Sequence, residues 1–308
     1  MLYRFLKQVV RIALRFFVRK YRYHHKEAFS FKGPLLIACT HPNSFFDALH
    51  IDTQFVQPVH SIARGDAFTK PWVRALLEQL KMIPIFRMSE GKENMAQNDE
   101  TFRKSQELLR NGGILLIFVE GVCVHQKELL LPLKKGAARI LQSCWKEGVD
   151  VQVLPLWLGY SSFSTYGKTM DMRMGDRFGK EIGGDVDSAN CILRVNAEMG
   201  RQLLHLQNMG PTNSHAHPEW LRALFFMPAM LGAVLHAPVY LPVRYAVERF
   251  TKGTVFFDSV LFGLLLIAYP LFLLMVTLLL WALLGTAFAW LTWVILPALA
   301  YSYLHWKK

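Results

Sequence analysis

Residues 34–49 read PLLIACTHPNSFFDAL and join an apolar run to a polar loop. The run 34–40 predicts a buried strand. His41 follows this strand directly, and Asp47 stands six positions later. In a sheet of parallel strands, ligands gather at the carboxyl ends of the strands. The loop that carries His41 and Asp47 is therefore a predicted functional site.

The same organisation continues on the C-terminal side of this stretch. Short apolar runs alternate with helical patterns, and strands of this kind belong to parallel sheets that are covered on both faces. We therefore predict an α/β fold with a largely parallel central sheet flanked by helices. The further predicted strands are MIPIFR (82–87), ILLIFVEG (114–121) and VQVLPLWLG (151–159), and the predicted helices are 67–80, 96–111 and 134–148.

The N-terminal segment 2–20 predicts a basic amphipathic helix. Arg4, Lys7, Arg11 and Arg15 share one helix face, and apolar residues fill much of the remainder. Such a helix is too charged to span a bilayer but can lie in its surface. Packing against the folded domain is the alternative, and the two arrangements are compatible.

The C-terminal region predicts a helical membrane hairpin. Residues 259–303 contain no Asp, Glu, Lys, Arg or His. As one helix they would be about 68 Å long, whereas a hydrocarbon core measures about 30 Å. Two transmembrane helices with a turn near 283–286 fit better, and the basic residues at both ends favour a cytoplasmic position for those ends. The uncharged stretch 223–243 predicts a re-entrant or in-plane element, with a third span as the alternative.

The charge balance favours lipid over nucleic acid as the partner. The 308 residues include 35 Lys and Arg against 23 Asp and Glu, a net charge of +12. This surplus attracts anionic headgroups, the basic residues stand beside apolar stretches, and no nucleic-acid-binding motif is recognisable. The four cysteines form no CxxC pair and no disulfide spacing, which favours a reducing, cytosolic setting. No secretory signal peptide is predicted at the N-terminus.

His41 and Asp47 can act as a catalytic pair. A carboxylate beside an imidazole holds one tautomer and stabilises the imidazolium, which makes the histidine a general base for a hydroxyl. The alternative is a loop histidine and a helix-capping aspartate. Arg87, at the end of the strand 82–87, suits a phosphate, although a surface salt bridge is the simpler explanation for this residue taken alone.

A second group of residues surrounds the end of the strand 114–121. Glu120 can bind substrate hydroxyls from the lip of the sheet, and Gly121 permits a tight turn. Lys134 and Lys135 precede a helix start, where anions are favoured. A capping glutamate and two solvated lysines are the alternative. Pro155 interrupts an apolar strand and predicts an edge or a bulge, with its apolar neighbours forming either an acyl groove or ordinary core.

These blocks, taken in order, resemble the glycerophospholipid acyltransferase family, which includes the 1-acylglycerol-3-phosphate acyltransferases. The resemblance covers roughly residues 30–190 and rests on His41 with Asp47, IPIFR with Arg87, FVEG with Glu120 and Gly121, and LP with Pro155. It implies that His41 is the base and Asp47 orients it, that Arg87, Glu120 and Gly121 bind the acceptor, and that acyl-CoA or acyl-carrier protein is the co-substrate. No metal and no other cofactor is implied.

Three departures from the family pattern bear on the acceptor more than on the reaction. Five residues separate His41 from Asp47 where four are usual, Val119 replaces the proline of the usual FPEG block, and the membrane segments follow the catalytic domain. The predicted units are a membrane-surface helix, an acyltransferase domain, a linker and a membrane region with two transmembrane helices, at 1–26, 27–204, 205–222 and 223–308.

The predicted function is a membrane-bound O-acyltransferase with its catalytic domain on the cytoplasmic face. The expected acceptor is a lysophospholipid, first of all 1-acylglycerol-3-phosphate, in phospholipid biosynthesis. Glycerol-3-phosphate and a lyso-aminolipid are the alternative acceptors. A catalytically silent lipid-binding protein is the alternative from another class, and a serine hydrolase is disfavoured because no GxSxG motif is present.

Overall fold

The computed structural model describes residues 2–86, 97–210 and 219–306, and in these ranges seven strands form one sheet. The strands are β1 (Val18–His24), β2 (Leu35–Cys39), β3 (Val59–Arg64), β4 (Met82–Ile85), β5 (Ile114–Phe118), β6 (Gln152–Tyr160) and β7 (Lys168–Met174). Their order in the sheet is β1-β7-β6-β2-β5-β3-β4. Strands β6 and β7 pair antiparallel, and the other neighbours pair parallel.

Helices cover both faces of the sheet and then form a separate apolar group. The helices are α1 (Leu2–Phe17), α2 (Phe45–Gln54), α3 (Pro71–Gln79), α4 (Gln97–Arg110), α5 (Gly136–Lys146), α6 (Lys180–Gly183), α7 (Asn190–Asn208), α8 (Glu219–Phe250), α9 (Phe257–Leu284) and α10 (Thr292–Trp306). Helices α1 and α2 and the start of α9 pack on one face of the sheet, and α5 and α7 pack on the other.

Strand β2 illustrates why the apolar runs become central strands. All five of its residues are buried. Alternate side chains of a strand point to opposite faces, so Leu35 and Ile37 enter one core while Leu36 and Ala38 enter the other. A strand that is apolar on both faces needs helices above and below it. The α/β fold with a largely parallel, helix-flanked sheet is therefore confirmed.

The N-terminal helix ends earlier than the sequence predicts. Residues 18–24 form the edge strand β1, so the helix predicted through residue 20 stops at Phe17. Tyr21 and Tyr23 stack on each other and hydrogen-bond to residues of α2, whereas Arg22 pairs with Asp171 of β7. This alternation between aromatic and basic residues is the strand period that the helical interpretation overlooked.

Helix α1 packs on the folded domain with part of its surface. Leu14 and Phe17 are buried in the core. The Lys7 ammonium donates to the carbonyl of Phe55 over 2.9 Å. The exposed side still carries large apolar residues, with Phe5 66% and Ile12 57% exposed. Packing on the domain is thus established, and a surface that suits the edge of a bilayer remains open on the same helix.

The apolar C-terminal region contains three helical segments rather than two. Among the described residues, 223–250, 257–284 and 287–306 are each long and apolar enough to cross a membrane. Helix α8 is continuous over 32 residues, which does not fit the re-entrant interpretation of 223–243. Its length fits the third-span alternative, and the in-plane alternative stays a prediction. Helix α9 ends at Leu284, inside the predicted turn. These helices support membrane association of the chain.

The predicted linker is shorter than expected at both ends. Residues 205–208 complete helix α7, and residues 219–222 begin helix α8. Of the remaining residues 209–218, those from 211 to 218 lie outside the described residues.

Both ends of the predicted hairpin return to the sheet at the same place. Asp258, in the first turn of α9, contacts Lys168 at the start of β7. Leu304, near the end of α10, is fully buried and lies so close to Gly167 that a β-carbon there would stand 3.1 Å from its side chain. The apolar helices are therefore docked on the domain beside the carboxyl end of β6.

Candidate active site

His41 and Asp47 meet at the carboxyl end of strand β2, as the sequence predicts. His41 follows the strand after Thr40, and Asp47 lies in the first turn of helix α2. The Nδ1 of His41 lies 2.9 Å from Oδ2 of Asp47. The buried strand thus fixes one partner and the helix start fixes the other.

Asp47 is fully buried and holds three hydrogen bonds. Besides His41, its Oδ2 accepts the backbone N–H of Asn43 over 2.8 Å, and its Oδ1 accepts the hydroxyl of Tyr160 over 2.6 Å. Burial, followed by the nearby Asp47 charge, raises the pKa of Tyr160 well above its usual range, so this phenol stays a donor. The carboxylate oxygens are therefore oriented by protein groups on three sides.

The tautomer of His41 follows from this arrangement. A carboxylate only accepts hydrogen bonds, so the proton of a neutral imidazole resides on Nδ1. Within the described residues, Nε2 of His41 forms no hydrogen bond, and the His41 side chain is 16% exposed. The unprotonated nitrogen, Nε2, is thus left without a partner among the described residues, on a side chain that solvent can still reach.

The ring of His41 rests on the last residue of strand β5. Its centroid lies 3.7 Å from that of Phe118, with an interplanar angle of 12°. Phe118 is paired with Cys39 across the sheet. The central strands therefore supply both the attachment of the imidazole and the surface under it.

Glu120 fixes the backbone of the loop. Its Oε2 accepts the N–H of His41 over 2.7 Å, and its Oε1 accepts the N–H of Leu130 over 2.8 Å. Burial raises the pKa of Glu120, and the two backbone donors oppose that shift. Since both oxygens serve the backbone, the observed role is to hold His41 in place. Binding of acceptor hydroxyls by Glu120 stays a prediction.

Gly121 and Lys134 are neighbours beside Glu120. Gly121 has φ of +69°, which favours glycine, and a β-carbon there would stand 2.5 Å from Cγ of Lys134. Lys134 donates its backbone N–H to Val119 over 2.8 Å, and its side chain is exposed. Lys135, also exposed, stands just before helix α5. The structure therefore brings Lys134 to the edge of the site, with Lys135 next to it in the chain.

The other two predicted site residues have different outcomes. Pro155 lies in strand β6 between two neighbouring strands, so the edge interpretation is wrong. On one side, Pro155 is paired with Ala38 of β2. On the other side, the pairing register shifts by one residue between the pairs Leu156–Met174 and Val153–Phe178. This irregularity agrees with a bulge. Arg87 lies outside the described residues.

Sequence patterns missed a second row of polar residues behind the loop 41–47. Asn43 donates its side-chain N–H to Oδ2 of Asp258 over 2.7 Å, and the same carboxylate oxygen contacts the ammonium of Lys168. Both charged side chains are almost completely buried. Asp258 is the last charged residue before the uncharged C-terminal stretch, and that isolated carboxylate is the one signal that the sequence offered.

Three other histidines are poorly suited to act as the base. Burial lowers the pKa of His50 to about 3 and that of His60 to about 4. His25 also contacts a carboxylate, with 2.8 Å between its Nδ1 and Oε1 of Glu27, but this pair is exposed. In the described part of the chain, no group of three His, Cys, Asp or Glu side chains is arranged to hold a metal ion.

Comparison with known proteins finds a family match over part of the chain. Residues 20–159 match the family model described as Acyltransferase. These residues form an acyltransferase domain. This match supports an acyltransferase enzyme, as the sequence predicts. The matched range includes His41, Asp47, Glu120 and Gly121 but ends before Tyr160.

One solved structure and the curated proteins complete the comparison. The chain is similar to the crystal structure of the 1-acyl-sn-glycerophosphate (LPA) acyltransferase PlsC from Thermotoga maritima, with 18% sequence identity and a TM-score of 0.46. That similarity covers 67% of this chain and 81% of the PlsC chain. None of the curated proteins matches.

Proposed function

We propose that this acyltransferase moves a fatty acyl group from a thioester, acyl-CoA or acyl-carrier protein, to the free hydroxyl of a lysophospholipid. The acceptor we favour is 1-acylglycerol-3-phosphate, and the product is a membrane phospholipid precursor. The observation that carries the proposal is the hydrogen bond between His41 Nδ1 and buried Asp47, which leaves Nε2 free at the opening of the loop.

His41 acts as the general base in the proposed reaction. Its Nε2 takes the proton of the acceptor hydroxyl as the oxygen attacks the thioester carbonyl. The Asp47 carboxylate stabilises the imidazolium that forms, in the way that a triad aspartate does. Tyr160 and the Asn43 backbone keep that carboxylate in place. Binding the hydroxyl against a fixed base accounts for a large part of the barrier reduction.

The acyl transfer then finishes without a covalent enzyme intermediate. The tetrahedral intermediate collapses, the C–S bond breaks, and the thiolate takes the proton held by the His41 imidazolium. The products are an ester and a free thiol, and His41 returns to its starting tautomer. The acceptor oxygen is itself the nucleophile, so no serine or cysteine of the chain is acylated.

The surroundings of the loop support a lipid acceptor. The first turn of the apolar helix α9 contacts residues 43 and 46 of the loop, so an acceptor whose chains lie in the bilayer has a short path to His41. We place this face of the domain at the cytoplasmic surface, because positive charge concentrates on the cytoplasmic side of membrane proteins.

Lys134 is the described residue best placed to attract the acceptor phosphate. It is exposed, lies against Gly121, and is linked through Val119 to the strand end beneath His41. Arg87 is expected to share this role from the family resemblance. A lyso-aminolipid carries no glycerol phosphate, so loss of either cation should affect it less than lysophosphatidic acid.

The test is acyl transfer by the purified full chain in detergent. Labelled acyl-CoA and acyl-carrier protein are each offered with lysophosphatidic acid, glycerol-3-phosphate and a lyso-aminolipid. We expect labelled phosphatidic acid from lysophosphatidic acid, and a Lys134→Ala variant with a higher KM for that acceptor. Lys146→Ala is the matched control, since Lys146 stands at the other end of helix α5 and pairs with Asp187.

The alternatives give different outcomes. Product from glycerol-3-phosphate alone, or from the lyso-aminolipid alone, would show that our choice of acceptor is wrong and that the proposed reaction, acyl transfer, is right. No product with any acceptor and either donor would overturn the proposal and favour a lipid-binding protein without activity.

A further inference from the structure

The catalytic loop 41–47 is held by a helix that lies outside the matched acyltransferase domain. Asp258 and Ser259, in the first turn of α9, stand about a hundred residues beyond residue 159, where the family match ends. The Asp258 carboxylate accepts the side-chain N–H of Asn43 over 2.7 Å. The Ser259 hydroxyl accepts the backbone N–H of Phe46 over 3.1 Å.

Each of these contacts replaces a partner that the loop cannot supply itself. The first N–H groups of a helix have no partner inside the helix, and the residue before helix α2, Ser44, provides no side-chain cap. Ser259 therefore caps helix α2 from another helix. Asn43 is fully buried, and a buried amide needs partners because desolvation without hydrogen bonds is unfavourable.

Asn43 connects Asp258 to the catalytic pair through a single residue. Its side chain bonds to Asp258, and its backbone N–H bonds to Oδ2 of Asp47, the same oxygen that holds His41. If Asn43 moves, the oxygen that orients the imidazole loses a donor. The position of helix α9 is thus transmitted to His41 through three hydrogen bonds in series.

The buried ion pair of Asp258 with Lys168 is explained by this connection to Asn43. Their side chains are 1% and 0% exposed. A buried ion pair is weak evidence for stability, since well-packed apolar residues often replace it without loss. Lys168 also lies near the rings of Phe17 and Phe46, with its Nζ 6.0 and 5.9 Å from their centroids. Lys168 therefore fixes the Asp258 carboxylate in an apolar pocket, aimed at Asn43.

We infer that Asp258 is a positioning residue for the catalytic pair, so that the docked apolar helix α9 completes the active site. Its carboxylate orients Asn43, and Asn43 orients Asp47. The kinetic consequence rests on the proposed function, whereas the ordering of the loop does not. The acyltransferase domain alone, without helix α9, would leave the loop without two of its anchors.

Two double variants separate the hydrogen bond from the ion pair. Asp258→Asn with Lys168→Met removes both charges and keeps an amide oxygen for Asn43. Asp258→Leu with Lys168→Met removes the charges and the acceptor, with a side chain of similar size. Both are made in the full chain in detergent, and matched melting temperatures establish that both fold.

We expect the Asn variant to keep kcat within about 3-fold of wild type and the Leu variant to lose roughly 10- to 100-fold, the effect of a small displacement of a catalytic group. The KM for donor and acceptor should change little in both. Asn43→Ala, which removes the same bond from the other side, should lose a similar factor. Combining it with the Leu variant should add nothing, because both changes break one interaction.

Hydrogen exchange of the backbone amides in residues 41–47 gives a readout without the reaction. We expect faster exchange in the Leu variant and in Asn43→Ala than in the Asn variant. Equal exchange rates in the Asn and Leu variants, or equal kcat in an active enzyme, would overturn the inference. If the wild type transfers no acyl group, the proposed function fails, and the exchange rates alone still decide whether Asp258 orders the loop. Should the Leu variant not fold, Asn43→Ala compared with wild type decides in the same way.

Discussion

The imidazole of His41 lies flat on the ring of Phe118, with 3.7 Å between the two centroids and 12° between the ring planes. The contact joins the loop after strand β2 to the end of strand β5, the strand that pairs with it. The Phe118 ring therefore limits rotation of the imidazole, while Asp47 fixes its Nδ1 edge.

Replacing Phe118 with leucine should impair the chemical step. Leucine retains apolar contact but leaves the imidazole freer to turn away from the acceptor hydroxyl. We expect kcat to fall roughly 10-fold with little change in KM, within the range that misplacement of a catalytic group produces. Phe29→Leu, which replaces another phenylalanine of the same core, one whose ring packs against Tyr23 and Phe55, is the control. A kcat equal to that of the control would refute the role of the stack.

Tyr160→Phe should reduce activity by removing one donor to Asp47. A hydrogen bond to a charged group contributes about 1.5–3 kcal/mol, so we expect kcat to fall roughly 10-fold or more, with a lower melting temperature. Tyr166→Phe removes a partly buried hydroxyl that donates to the carbonyl of Phe16 instead and should affect stability alone. Unchanged kcat in Tyr160→Phe would mean that Asp47 is held sufficiently by Asn43.

Sequence reasoning found the residues of the site that follow central strands. His41, Glu120 and Gly121 stand at the ends of β2 and β5, and an apolar run that stops at a polar residue marks such a place directly. The partners Asn43, Tyr160 and Asp258 are joined only by tertiary contacts. No periodicity or spacing relates residue 43 to residue 258, so geometry alone reveals them.

The same distinction explains the errors in the fold. Strands β3 and β7 contain polar residues, and β1 carries basic residues that continue the charge pattern of helix α1. Strands β1 and β3 bury only part of their surface, whereas β7 is almost entirely buried but includes the buried charged residues Lys168 and Arg173. All three therefore lack the uniform apolar signal of β2 and β5. The continuous helix α8 was also overlooked, because Pro228, Pro238 and Pro242 suggested breaks that the helix tolerates.

Acid should destabilise the chain through His50. This imidazole is fully buried, and burial lowers its pKa to about 3, below the usual value of about 6.5 in an unfolded chain. As the pH falls below 6.5 the unfolded state binds the proton first, so the free energy of unfolding decreases by about 1.4 kcal/mol per pH unit. The decrease continues until the pH reaches the folded pKa.

Melting curves between pH 7 and pH 4 test this link. The melting temperature of wild type should fall more steeply than that of His50→Asn, which keeps a polar group near the hydroxyl of Tyr21. His205→Asn, a change at an exposed histidine, should follow the wild-type curve. Parallel curves for wild type and His50→Asn would show that His50 does not cause the acid sensitivity.

The turn between α9 and α10 should lie on the side of the membrane opposite to the domain. Asp258 and Leu304, at the two outer ends of the hairpin, both contact the sheet region. The turn near Thr286 is therefore the part of the hairpin farthest from the domain. In sealed membrane vesicles, a cysteine at Thr286 should react with an impermeant maleimide from the side opposite to a cysteine at Lys252. Both positions are exposed, and wild type gives the background. Labelling of both from one side would exclude the hairpin.

The most direct test of the account is the activity of His41→Ala beside that of His25→Ala, in full chain supplied with labelled acyl thioester and the preferred acceptor. Each histidine contacts a carboxylate at a similar distance, 2.9 Å for His41 and 2.8 Å for His25, and only His41 has a buried partner fixed by further donors. We predict that His41→Ala lowers kcat roughly 100-fold or more, the contribution of a general base, while His25→Ala retains wild-type kcat. Substantial activity in His41→Ala would contradict the assignment of the base and, with it, the proposed mechanism.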